Sequence, residues 1–133
     1  MGSITTPVWT ENQTLTAFDD NSPANNVTAK TTLDIAALGF DLVKLQLKIT
    51  WDVSATGYAL LNIYSSSDSG TTKDTIPIWS QRITPVAGTT TYITLNIQDE
   101  AFVDIWLENK TGQEMAEVSG KYAGRKWNTE ESV

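Results

Sequence analysis

The chain of 133 residues has no cysteine and no histidine. Without cysteine there is no disulfide, no thiolate metal site and no thiol nucleophile, and the redox compartment is left open. Without histidine the commonest general base and the commonest metal ligand are both missing, so any catalysis would fall to carboxylates, lysines, tyrosines or serines. Positive charge is also scarce. Nine basic residues stand against sixteen acidic ones, a formal net charge of −7, and the basic residues are scattered. That pattern argues against a nucleic-acid phosphate backbone as partner. No apolar run approaches the length of a membrane-spanning helix, and the start, Met1-Gly2-Ser3-Ile4-Thr5-Thr6-Pro7, has neither the cationic nor the apolar region of a signal peptide. The expectation is a soluble chain, not exported by the usual route and bound to no membrane. Gly2 and Thr6 make a poor myristoylation site, set in ordinary Thr-rich sequence.

What is present is alternation. Across residues 43–53, Val43, Leu45, Leu47, Ile49, Trp51 and Val53 alternate without a break with Lys44, Gln46, Lys48, Thr50 and Asp52. A period of two is that of a strand, with one face for a core and one for water or a partner. The rest of the chain reads as strands that cover this apolar face and pair its backbone groups.

Residues 8–18 alternate loosely, with Val8, Leu15 and Phe18 apolar, and read as one strand or two short ones broken near Asn12. Residues 19–26, dense in Asp, Asn, Ser and Pro, form a loop. A strand over 27–35 points Leu33 and Ile35 inward, and 36–39 is too short for a stable helix and reads as a turn. A short connection at 54–57 leads to a strand over 58–65, with Ala59, Leu61 and Ile63 inside, and its tightness predicts an antiparallel neighbour to 43–53. After a loop at 66–75 comes a strand at 76–83, which Pro77 assigns to a sheet edge or bulge. Residues 92–97 bury Ile93, Leu95 and Ile97, and 102–109 bury Val103, Ile105 and Leu107. A turn at 109–112 precedes a last strand at 114–122 with Ala116 and Val118 as its weak apolar face. Residues 124–133 read as a C-terminal tail, although Trp127 beside Arg125 and Lys126 gives it reason to dock on its own sheet or on a neighbouring subunit.

About eight strands with no convincing helix predict one all-β domain over residues 1–133, an antiparallel β-sandwich with a jelly roll as first choice. Residues 1–18 form an N-terminal segment and a candidate interface arm. The same alternation also serves an immunoglobulin-like sandwich or a barrel.

Ser66-Ser67-Asp68-Ser69-Gly70-Thr71-Thr72-Lys73 resembles the Asp-box pattern S-x-D-x-G-x-T-W at Ser66, Asp68, Gly70 and Thr72, with Lys73 in place of the Trp. It reads as a structural hairpin turn. Asp19, Asp20 and Asn21, and again Asp68 and Asp74, bring loop oxygens together, but neither loop has EF-hand spacing, so no metal and no cofactor are expected. Asp104 with Glu108 is a carboxylate pair on one strand face and reads as solvated surface rather than as a glycosidase pair. Asn12, Asn26 and Asn109 open N-x-[ST] triplets that read as chance in a Thr-rich chain. The outward aromatics say more. Tyr64, Tyr92 and Trp106 fall on solvated phases, where large rings are scarce, and suit either a subunit interface or a sugar-stacking platform with Asn62 and Asp104 on the hydroxyls.

The strand VKLQLKITWDV, the segment LNIYSSSDSGTT, the strand TTTYITLNI and the segment FVDIWLENKTG, spanning about residues 42–112, resemble small β-sandwich structural proteins of tailed-bacteriophage virions. The resemblance implies a non-enzymatic role as a capsid decoration or cement protein, or as a head or tail accessory protein, on the virion. It implies the major capsid protein or other virion subunits as partners, and a homo-oligomer set by the lattice. It brings no catalytic residues. With it, Trp9, Tyr64, Tyr92, Trp106 and Trp127 become the expected contact residues, and acidity suits an outer shell that should not bind the genome. The alternative is a carbohydrate-binding β-sandwich module that takes a glycan on its outward aromatics. It requires at least two of those rings to be coplanar and solvent-facing.

Overall fold

The computed structural model describes residues 3–10, 13–15, 23–66 and 74–131, giving the backbone alone at 3–7 and 127–131. The unbroken alternation at residues 43–53 becomes β4 (Leu42–Thr50), whose inner side chains Val43, Leu45, Leu47 and Ile49 have no exposed surface. Each such burial contributes roughly 1.5–3 kcal/mol. Around it the chain lays down β1 (Ser3–Trp9), β2 (Gln13–Thr14), β3 (Thr28–Asp34), a single helical turn α1 (Ile35–Leu38), β5 (Tyr58–Ser66), β6 (Trp79–Ile83), β7 (Thr90–Gln98), β8 (Phe102–Lys110) and β9 (Glu117–Glu131).

The strands form two antiparallel sheets. One runs β1-β9-β4-β7, with β2 also paired to β9, and the other runs β3-β8-β5-β6. Taking β1 and β2 as one interrupted strand, this is the eight-stranded order of a jelly roll, in which nearly every connection crosses from one sheet to the other. The single core between the sheets joins the inner side chains of β4 and β7 to those of β5 and β8. The expected inward sets of 58–65, 92–97 and 102–109 are all there, with Leu33 and Ile35.

Four sequence expectations are corrected. The connection at 51–57 is not a hairpin: β4 pairs with β7 and β9, while β5 lies in the other sheet between β8 and β6. Trp51 stays buried, its indole N–H donating to Thr91 Oγ1 at 2.8 Å, and the chain turns at Asp52, whose carboxylate accepts from Ser54 N–H. Gly57 completes the crossing in a left-handed conformation (φ 62°), where a Cβ would strike the Lys110 carbonyl. Local spacing cannot tell this arch from a hairpin, because both need only a short polar turn. For the same reason Val53, expected inside, is 80% exposed, since the strand has already ended. At the last strand, Met115 and Val118 are buried rather than Ala116, because residues 114–116 still belong to the loop before β9.

The fourth correction is the tail. Residues 124–131 are the second half of β9, paired over Arg125–Glu131 with Trp9–Ser3 of β1. Trp127 sits opposite Pro7 in that ladder, so the segment docks on its own sheet. The turn at 36–39 carries one helical turn, capped by Asp34 accepting from Ala37 N–H at 3.0 Å. Strand β6 is an edge strand, as expected, but it begins at Trp79, so Pro77 lies in the loop before it rather than within a strand over 76–83.

Candidate binding surfaces

The three outward aromatics do not share a face. On the outer side of the β3-β8-β5-β6 sheet, Lys30, Trp106 and Asn62 form one cross-strand row, and Thr32, Asp104 and Tyr64 the next. Diagonal neighbours across strands lie within reach of large rings. Tyr64 and Trp106 accordingly meet edge to face, centroids 5.0 Å apart and planes at 62°. Lys30 Nζ lies 4.2 Å from the Trp106 ring centre, and Asn62 Nδ2 donates to Tyr64 Oη at 3.4 Å. Further along, Arg82 packs 3.9 Å over Tyr58. These rings are half-buried against their own sheet, tilted to one another and partly covered by a cation, so Tyr64 and Trp106 make no coplanar platform for a sugar. Asp104 is 6% exposed, not solvated as its phase suggested. Four residues of strand separate it from Glu108, about 13 Å, beyond the carboxylate spacing of either class of glycosidase.

Tyr92 lies on the opposite side of the sandwich, 62% exposed on the outer face of the other sheet. Lys48 stands between it and Ser119, and these three with Gln46, Glu117 and Lys121 line a shallow groove of about 390 Å³. Lys48 Nζ pairs with Glu117 Oε1 at 3.2 Å, and Gln46 Nε2 donates to Thr94 Oγ1 at 3.3 Å. The groove is polar, with one exposed ring.

The third surface is the ribbon of β1 and the outer half of β9. Strand β4 starts opposite Arg125, so 3–8 and 126–131 continue past the end of the sandwich as two strands paired only with each other among the described residues. Its base is fixed. Thr10 N–H donates to Gly124 O at 2.8 Å, Gly124 leaves room for the Phe40 ring that a Cβ would overlap, and Arg125 grips Asp41 through Nε and Nη2 at 3.3 and 3.0 Å. Hydrogen bonding to Asp41 raises the Arg125 pKa, with burial opposing it and the carboxylate's charge adding to it. Val8 and Trp9 are exposed on this ribbon, and Trp9 is the partner of Arg125 across the strands. The Trp127 side chain lies outside the described residues.

Of the Asp-box-like turn, Ser66 is buried at the end of β5, opposite Phe102, while Asp68, Gly70 and Thr72 lie outside the described residues, as do Asp19, Asp20 and Asn21. Asn109 is fully buried: its amide donates to Pro23 O and Gln113 O and its carbonyl accepts from Thr111 N and Oγ1, so in the folded chain it is a loop clamp rather than a glycan acceptor. Two features were missed in the sequence. One is the exposed apolar group Ile76, Ile78 and Trp79 at the edge strand β6, for which apolar residues flanking Pro77 were the available signal. The other is the Arg125–Asp41 pair, 84 residues apart, for which there was none.

No protein-family model and no curated protein sequence matches the chain. Among solved structures it is similar to the PRD1 vertex protein P5 (13% identity, 94% of this chain and 96% of that one, TM-score 0.48). It is also similar to a pilus protein of Bacillus endospore appendages (13% identity, 98% and 90%, TM-score 0.41) and to a family 16 carbohydrate-binding module (11% identity, 83% and 74%, TM-score 0.37). Likeness at this level carries no functional argument.

Proposed function

We propose that the chain is a non-enzymatic structural protein of a phage virion, a capsid decoration or cement protein that binds the outer surface of the head and stabilises it through protein–protein contacts. The observation that supports this reading is the ribbon, two strands extended beyond the core on a fixed base, with Val8 and Trp9 exposed on it. A two-stranded ribbon buries too little to be stable by itself, and an exposed indole is a typical anchor for a partner protein. The negative net charge keeps such a surface from the packaged genome. The resemblance of residues 42–112 to phage virion proteins supplies the kind of partner, the major capsid protein. The test is occupancy of heads stripped of decoration by the full chain, by a chain lacking residues 1–12 and by Trp9→Ala. Loss of occupancy in both variants is expected, and full occupancy by the truncated chain would overturn the reading.

A second reading, glycan binding, is favoured by one feature, the Tyr92 groove. An exposed ring beside Gln46, Lys48 and Ser119 has the elements of a weak sugar subsite. Calorimetric titration with bacterial surface glycans tests it: saturable heat abolished by Tyr92→Ala would establish it, and a flat response would remove it.

A further inference from the structure

We propose that residues 126–131 of β9 form an edge for strand addition, and that its occupant is the same segment of a second copy of this chain. The inference rests on the backbone ladder and does not depend on the capsid reading. Thr10 N–H donates to Gly124 O from one side of β9, whereas Asp41 N–H donates to Arg125 O at 2.9 Å from the other. Hydrogen-bonding direction alternates along a strand. Residues 126, 128 and 130 therefore face β1, and the backbone groups of 127, 129 and 131 face the side that β4 occupies lower down. Among the described residues no strand pairs with that side beyond Arg125.

The other edge of the ribbon, on β1, is interrupted. By the same alternation the backbone groups of residues 3, 5, 7 and 9 point away from β9, and position 7 is Pro7, which has no N–H to offer. Proline on an outer edge discourages strand addition there, which leaves the β9 edge as the continuous one.

Charge selects the occupant. Two copies paired antiparallel about Asn128 overlap over 126–130, the position opposite Arg125 being held by Asp41 N–H, and place Lys126 of each opposite Glu130 of the other, with Trp127 opposite Thr129. This register matches the hydrogen-bond phase, because 127 and 129 both face the open edge. Shifting the centre to Thr129 moves Lys126 away from Glu130 and loses both ion pairs. Opposite charges directly across strands favour a register. Antiparallel overlap sends the two sandwiches to opposite ends of a four-stranded sheet ordered β1-β9-β9-β1. The two-strand ribbon, marginal alone, thereby gains a neighbour on its open side.

Sedimentation of the full chain over a concentration series is the test. The wild type is expected to dimerise. Thr129→Pro removes an edge-facing N–H and none that is donated to β1, and should be monomeric with an unchanged circular dichroism spectrum. Lys126→Glu should weaken dimerisation about tenfold by creating two like-charge pairs, and Lys126→Glu with Glu130→Lys should restore it. A wild type that stays monomeric, a dimer indifferent to Thr129→Pro, or a double variant no better than Lys126→Glu would each overturn the proposal. The charge variants keep the test decisive even if Thr129→Pro fails to fold.

Discussion

Strand β4 and the outer half of β9 are both extended segments in one sheet, yet they are held by different forces. Strand β4 is paired on both edges, and its inner side chains meet the opposite sheet with no exposed surface. Residues 126–131 are paired on one edge, to a β1 that carries exposed Val8 and Trp9. Strand β4 is stabilised by the removal of apolar surface from water, whereas Val8 and Trp9 on β1 stay exposed. A strand therefore reports its backbone conformation, and its stability comes from what lies against it. In this molecule β4 is paired on both edges, while residues 126–131 are paired with β1 alone among the described residues.

Core truncation should separate the two most sharply. Leu47→Ala, at a fully buried site in β4, should cost about 2–5 kcal/mol in denaturant unfolding. Trp9→Ala on the ribbon should change the same measurement by no more than about 0.5 kcal/mol. Equal losses would mean that the ribbon packs like the core. Next in size, Asn109→Ala removes the amide that clamps 23, 111 and 113, and should cost about 1–3 kcal/mol by leaving buried backbone groups unpaired. Gly124→Ala tests the junction between the two regions. Its Cβ would overlap the Phe40 ring, an overpacking cost of about 1–3 kcal/mol, and Phe40→Leu in the same chain should return part of it. The mildest change is Arg125→Ala, which removes the ion pair with Asp41 at the base of the ribbon. It should speed amide exchange at 126–131 while leaving β4 protected, and its effect should shrink in high salt.

The inward residues of β4, β5, β7 and β8 were legible because a period of two has one physical cause, a pleated strand with a single buried face. Pro77 pointed to the edge position of β6 only indirectly, because it stops just short of the strand, which begins at Trp79. The arch at 51–57 was not, because a polar turn of the same length closes a hairpin within a sheet or crosses between sheets. The contact residues divided likewise. Alternation placed Tyr64, Tyr92 and Trp106 outward, but which sheet each strand joined decided that Tyr64 and Trp106 meet and that Tyr92 lies on the far side.

From the sequence alone came the class of fold, the inward faces of the strands, and a chemistry without thiols or imidazoles, because each follows from residue type and spacing along the chain. Tertiary structure alone decided that residues 124–131 are a strand rather than a tail, that Asn109 is a buried clamp, and that Asp41 holds Arg125. The long-range contacts behind them span 84 to 128 residues, from Asp41 with Arg125 to Ser3 with Glu131. Separations of that size are closed by the packing of the two sheets and leave no trace in local pattern.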